Sequence, residues 1–366
     1  MIAFASVFRR IRPLSRVYYG LLGAYTILIV LVVLLRDILE PASSAMACLI
    51  NFLPLWFIPA LPLALLNAVV NRRSRWYLLV PLIPVMIAGL LYWRWFVPPA
   101  MRGYGEIAHQ GETLSILTHN ISSKTYDFQN TIQFLQSLNA DIVFLQEIHL
   151  NTPGMDQIPE AFQATHPYIV VQNDEDELRA NMILSRYPIL GSEDLSDLKS
   201  QYARLCVSGI PVDVYNISLD TPITGVPRLG NPLSFILPYD PQARNAQIEA
   251  LLQRLNTQTD PLILAGDFNL SDQSAYYRRI AARFIDSYAE VGSGPGFTYP
   301  SSTTFRIPIP QFLPPLLRID YIWHNNAFAP ISADLHAGVQ SDHLAVFANL
   351  VWNTSAVPSS CDASTP

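Results

Sequence analysis

Hydrophobic and polar positions are arranged in two different ways along this chain. Residues 18–35, 47–70 and 76–97 are near-continuous apolar runs, with Arg94 as their only charge and prolines 54, 59, 62, 81 and 84 inside them. Each run is close to the roughly 20 residues that cross a bilayer core, where proline is tolerated better than in a soluble helix. From residue 112 onward, short apolar runs bounded by turn residues alternate with helix-like stretches at 128–138 and 241–255. Runs that short and so closed read as strands. Strands and helices in alternation predict sheets covered by helices.

This pattern divides the chain. Residues 1–16 are a basic leader, 17–98 a membrane domain of three spanning helices, and 99–111 a tether. Residues 112–352 form one globular domain, long enough for a substantial core, and 353–366 are a Ser/Pro-rich tail expected to be disordered. The first apolar run is too long for a cleaved signal, and no small-residue cleavage site follows it.

Charge changes the picture twice. Arg9, Arg10, Arg12 and Arg16 precede the first run, and Arg72, Arg73 and Arg75 separate the second from the third. By the positive-inside rule these flanks are cytoplasmic, so three crossings place the large domain outside the cell. Residues 1–100 carry 9 Lys+Arg and 2 Asp+Glu, whereas residues 101–366 carry 14 and 27. An acidic domain is poorly suited to nucleic acid, whose affinity for proteins comes largely from phosphate neutralisation by Lys and Arg. Three cysteines make no disulfide framework. Cys206 and Cys361 fall in the same compartment, which allows a pair without requiring one.

The candidate chemistry sits at strand edges. Leu262-Ile-Leu-Ala-Gly266-Asp267-Phe268-Asn269 is an apolar strand running into a turn that presents a carboxylate and a carboxamide together. Other edges carry Asn120, Glu147, Asn216, Asp320, and the Asp342-His343 pair. A carboxylate such as Glu147 suits a hard cation. There is no Cys/His cluster of the kind that binds zinc.

Taken in order, these motifs resemble the endonuclease/exonuclease/phosphatase superfamily, the fold of DNase I-like nucleases, neutral sphingomyelinases and inositol polyphosphate phosphatases. Ile183-Leu-Ser-Arg-Tyr-Pro-Ile189, Arg244-Asn-Ala-Gln247 and Gly296-Phe-Thr-Tyr-Pro300 fit it too. The resemblance implies a four-layer α/β sandwich, two mixed β-sheets flanked by helices. It also implies a Mg²⁺ site, with Mn²⁺ as a substitute, held by Glu147, Asn120 and Asp342. In the same reading Asp267 activates water, Asn269 and Asn216 contact phosphate, His343 stabilises or protonates the phosphoryl group, and Asp320 orients His343. One position departs from the family: Asn216-Ile217-Ser218-Leu219 has Ser218 where a histidine is usual, which argues against a two-histidine mechanism.

Tethering beside a membrane raises the effective concentration of lipid substrates. The expected activity is therefore hydrolysis of a lipid-linked phosphoester, polyprenyl pyrophosphate or a phospholipid head group, with no obligate protein partner. Apolar, Pro-rich stretches at 221–239 and 305–317 either pack on the domain or meet lipid. An extracytoplasmic nuclease and a catalytically silent membrane module are the competing readings. The first calls for a basic stripe that the sequence lacks, and Ser218 alone supports the second.

Overall fold

A computed structural model describes residues 12–70, 80–102, 113–121, 128–149, 157–174, 179–225, 238–301, 315–339, 341–353 and 360–361. Most of the basic leader, most of the tether, most of the tail and the centres of both Pro-rich stretches lie outside these residues. The chain separates into two units, 1–93 and 94–366.

The first unit corrects the expectation of three spanning helices. Among the described residues one helix, Val17–Ala42, is long and apolar enough to cross a membrane. Leu21, Ile27, Leu28, Leu31 and Leu34 stand exposed on it, as lipid-facing residues do and core residues of a soluble protein do not. The second apolar run bends by 71° between Ser44–Asn51 and Leu53–Asn67, where Pro54 removes a backbone donor in the first turn after the break. The third run contributes the short apolar helix Leu82–Leu91, which starts after Pro81, and a single turn at Trp93–Phe96; residues 76–79 of that run are outside the described set.

The second unit is two six-stranded sheets face to face. The strands are β1 (Thr113–Asn120), β2 (Ile142–His149), β3 (Tyr168–Asp174), β4 (Arg179–Ser185), β5 (Ile189–Leu195), β6 (Ser200–Val207), β7 (Ile210–Ser218), β8 (Leu262–Asp267), β9 (Ile285–Asp286), β10 (Asp320–His324), β11 (Phe328–Ala337) and β12 (Leu344–Trp352). One sheet runs β11-β12-β1-β2-β4-β3 and the other β5-β6-β7-β8-β10-β9. Each is built on one parallel pair, β1 with β2 and β7 with β8, and is otherwise antiparallel. Parallel neighbours need a crossover, and the helices Phe128–Leu138 and Gln242–Arg254 supply the two.

Period-two alternation sorts the side chains. On β8, Ile263 and Ala265 join a core shared by both sheets, with Ile116, Phe144, Val214, Ile322 and Val346. Leu262 and Leu264 point the other way, against Ile248, Leu251 and Leu252 of the crossover helix. Ile132 and Leu135 cover the opposite sheet over Val143, Leu145 and Leu184. The result is helix, sheet, sheet, helix, the expected four layers. The same alternation aims Thr118 and Asn120 of β1, Asn216 of β7, Asp267 of β8 and Asp320 of β10 into the space between the sheets.

Cys206, buried on β6, is disulfide-bonded to Cys361, and the Cys361 N–H donates to the Gly209 carbonyl. The tail is thus pinned at that point, a pairing that nothing in the sequence singles out.

Candidate active site

The Gly-Asp-x-Asn turn is shaped by two backbone constraints. Gly266 has φ +144°, and a Cβ there would lie 2.0 Å from the Ile217 carbonyl of the neighbouring strand. Only glycine fits so close an approach. Asn269 takes a left-handed φ of +50°, which folds its N–H back onto Asp267 Oδ1 at 2.9 Å. Its carboxamide donates to the Leu219 carbonyl at 2.9 Å and to Asp267 Oδ2 at 3.2 Å. Arg244, also buried, donates to the Asn269 carbonyl at 2.7 Å. This arginine braces the turn through a backbone carbonyl. Arg186 and Arg204 form ion pairs, with Asp141 and with Asp213 and Asp260 respectively.

Across the gap, Asn120 Nδ2 donates to Asp267 Oδ2 at 3.0 Å. His343 Nδ1 lies 2.9 Å from Asp320 Oδ2, and its Nε2 lies 3.9 Å from Asp267 Oδ2. Asp267, Asp320 and His343 can bring one ligand atom each within 4.8 Å of one another, all buried. Ser341 ties this cluster to β1, accepting from the His343 N–H at 3.0 Å and donating to the Asn120 carbonyl at 2.6 Å. The Tyr299 ring packs on the imidazole at 4.9 Å. Thr298 Oγ accepts from the Ile319 and Asp320 N–H groups, at 3.2 and 3.3 Å. Ser341, Thr298 and Tyr299 have no role in the sequence reading. Their signals, Gly296-Phe-Thr-Tyr-Pro300 and the residue before Asp342-His343, are present but carry no charge.

Glu147 departs from simple alternation. A regular strand would send it to the helix-covered face with Leu145. Instead its φ is +54° and the β2–β4 register breaks between Leu145 and Ile148. A bulge of this kind re-aims a side chain, and the Glu147 carboxylate lies near enough to push Asp267 further up in pKa. Asp342 reaches the cluster through charge, helping to hold His343 protonated, while its carbonyl accepts from the Ser301 N–H.

Asn216 is placed otherwise than a phosphate contact requires. Its carboxamide accepts from Gln146 at 2.7 Å and donates to the Leu145 and Met182 carbonyls and to Gln201 at 3.0–3.1 Å. It is fully buried and joins the two sheets one layer below the acidic cluster. Gln146, which precedes Glu147, also donates to Thr118 at 2.9 Å.

Electrostatics follow from burial. Loss of water, then the Asp320 carboxylate, raise the Asp267 pKa to about 8. Burial opposes protonation of His343, but the Asp320 and Asp267 carboxylates outweigh it and lift the imidazole to about 10. The pair thus offers a carboxylate basic enough to take a proton from water and an imidazolium able to bind an anionic oxygen. The cluster is rich in hard oxygen donors and short of positive charge, which fits a divalent cation.

The matching family model is that of the endonuclease/exonuclease/phosphatase family, over residues 117–343, more than half of the chain. The chain belongs to this family. Among solved structures it is similar to an endonuclease/exonuclease/phosphatase from Bacteroides vulgatus, with TM-score 0.51 and 18% identity over 66% of this chain and 100% of that one. A family protein from Bacteroides thetaiotaomicron aligns with TM-score 0.49 and 17% identity over 69% and 99%. Humanized D. rerio TDP2 aligns with TM-score 0.48 and 19% identity over 65% and 98%. Among curated proteins there is no significant match. Family and site together make this protein a phosphoester hydrolase.

Proposed function

We propose that this family member is a membrane-anchored, extracytoplasmic hydrolase of lipid-linked phosphoesters, dependent on Mg²⁺ or Mn²⁺. The observation that carries the hydrolytic part is the buried group Asp267, Asp320 and His343, with Asn120 on Asp267. Glu147 and Asn120, with Asp342 at the rim, would hold the cation, which when bound neutralises phosphate charge and polarises the scissile bond.

The protein's own groups then have distinct tasks. Asp267, held on both oxygens by Asn120 and Asn269, accepts the proton of the attacking water. Asp320 fixes the tautomer and orientation of His343. His343 binds the developing charge on the phosphoryl oxygens or protonates the leaving oxygen. One imidazole suffices for this, so Ser218 in the place of the second histidine does not remove the chemistry.

The lipid part rests on other features. The Val17–Ala42 helix exposes its apolar face, and the hydrolase domain is acidic. The Cys206–Cys361 disulfide suits an oxidising compartment rather than a cytosol, in agreement with the arginine bias.

The test uses the full chain in detergent beside its His343→Ala variant. Phosphate release from polyprenyl pyrophosphate in mixed micelles, and plasmid nicking, are each measured with Mg²⁺ and with EDTA. Metal-dependent, His343-dependent phosphate release without nicking is expected. Nicking without phosphate release would replace the lipid reading with the nuclease one.

A further inference from the structure

The segment that leads into the hydrolase domain is bolted to it. Arg94 and Arg102, eight residues apart, both donate to the Ala289 carbonyl of the short helix Ser287–Val291, at 3.3 and 3.0 Å. Arg102 also donates to the Gly292 carbonyl, and Arg94 pairs with Glu290 at 3.5 Å. Trp95 meets Phe297 edge to face at 5.4 Å. These anchors hold the segment to the domain but leave its other large side chains uncovered. Phe96 is 76% exposed and Met101 79%. Singly exposed apolar residues are ordinary. Here they sit between two arginines and beside a tryptophan, the composition of a membrane–water interface. The segment also begins three residues after the end of the apolar helix Leu82–Leu91.

We propose that residues 94–102 are a bilayer-contacting surface of the hydrolase domain, with Phe96 and Met101 seated at the head-group boundary, and that the substrate is an amphiphile that stays in the bilayer during turnover. The substrate half of this inference rests on the lipid reading above. The link to the site is short. Phe297, against Trp95, is two residues from Tyr299, whose ring packs on His343, and Thr298 between them holds the Asp320 backbone. A surface that touches lipid at Phe96 therefore adjoins the segment bordering the catalytic imidazole. Phosphate at head-group depth is then within reach without the tail leaving the membrane.

Two measurements on the full chain in phosphatidylglycerol/phosphatidylcholine vesicles test this. In a Cys48→Ala background, Phe96→Cys, Met101→Cys and, as a solvent-exposed control on β5, Ser192→Cys are labelled with bimane. Labels at 96 and 101 should be quenched several-fold more than the control by spin-labelled lipid, and several-fold less by aqueous iodide. Iodide quenching equal to the control at both positions overturns the contact, whatever the enzyme hydrolyses. The Phe96→Ser/Met101→Ser variant should lose about tenfold of its turnover of polyprenyl pyrophosphate in vesicles, with hydrolysis of soluble bis(p-nitrophenyl) phosphate within twofold of the parent. Equal loss on both substrates, or loss on neither, overturns delivery from the bilayer. If the parent hydrolyses no lipid at all while the labels still report lipid, the substrate half falls and the contact stands.

Discussion

Asn120 donates its carboxamide to Asp267 across the seam between the two sheets, 3.0 Å from nitrogen to oxygen. It is the direct bond from β1 to the carboxylate that would activate water. Hydrogen bonds to a charged group contribute about 1.5–3 kcal/mol. Asn120→Ala should therefore reduce kcat/KM by roughly tenfold to a hundredfold. The lost donor favoured the anion, so the Asp267 pKa rises further and the acid limb of the rate profile moves to higher pH. An unmoved acid limb would mean that Asp267 is not the group titrating there.

Asp320→Asn acts on two titrations at once. The Asp320 carboxylate raises both the His343 and the Asp267 pKa values. Its removal lowers both, so the whole bell-shaped profile shifts toward acid. Toward the basic end of the profile His343 is then more fully neutral, and the loss there should be on the order of a hundredfold, the scale of general acid catalysis. At pH 6 the loss should be smaller. Rates measured from pH 5 to 10 check this, and a uniform loss at every pH would assign Asp320 a packing role only.

Metal binding should be visible without substrate. A ligand that binds only the folded state at a hundredfold excess over its Kd stabilises by about 2.7 kcal/mol, or roughly 5–10 °C in Tm for a domain of this size. Titration of the full chain with MgCl₂ should show that rise, and Glu147→Gln should require about tenfold to a hundredfold more cation. A flat titration in the parent removes the cation from this site.

His119 gives the fold an acid sensitivity of its own. It is fully buried beside Phe134, close under Gly338, and among the described residues neither ring nitrogen has a hydrogen-bond partner. Burial, then the nearby charge of His343, lower its pKa to about 3. The unfolded chain takes up this proton near pH 6.5 and the folded one does not. Stability from this group is thus complete above about pH 6.5 and falls by about 1.4 kcal/mol per pH unit below it. His119→Leu should shift the acid-unfolding midpoint to lower pH. An unchanged midpoint would mean that the ring takes up its proton in the folded state.

Much of this was legible in the chain. Period-two alternation places Asn120, Asp267 and Asp320 on inward faces, and the family resemblance is what pairs His343 with Asp320. Alternation is local, and what it misses is not. It puts Glu147 on the wrong face, because the bulge that turns it is a property of the β2–β4 pairing. It puts Asn216 on the right face but not at its depth, which is set by how β7 lies against Gln146 of the opposite sheet. The disulfide joins residues 155 apart in sequence, and no spacing rule reaches that far. In the apolar half, hydropathy finds the runs but not the 71° bend, which a proline permits and packing decides.

The site belongs equally to both sheets. Asn120, Glu147 and His343 come from the sheet containing β1, and Asp267, Asn269 and Asp320 from the sheet containing β8. Their separation is therefore set by the apolar layer beneath them, where Ala203, Ala265 and Ala348 are among the thinnest members. That layer is a spacer with a tolerance of fractions of an ångström, since catalytic groups lose their effect when misplaced by about 1 Å. A methylene added at one of these alanines would jack the sheets apart and dull the enzyme while it still melted as a folded protein, so small residues that touch no substrate are held small by the chemistry above them.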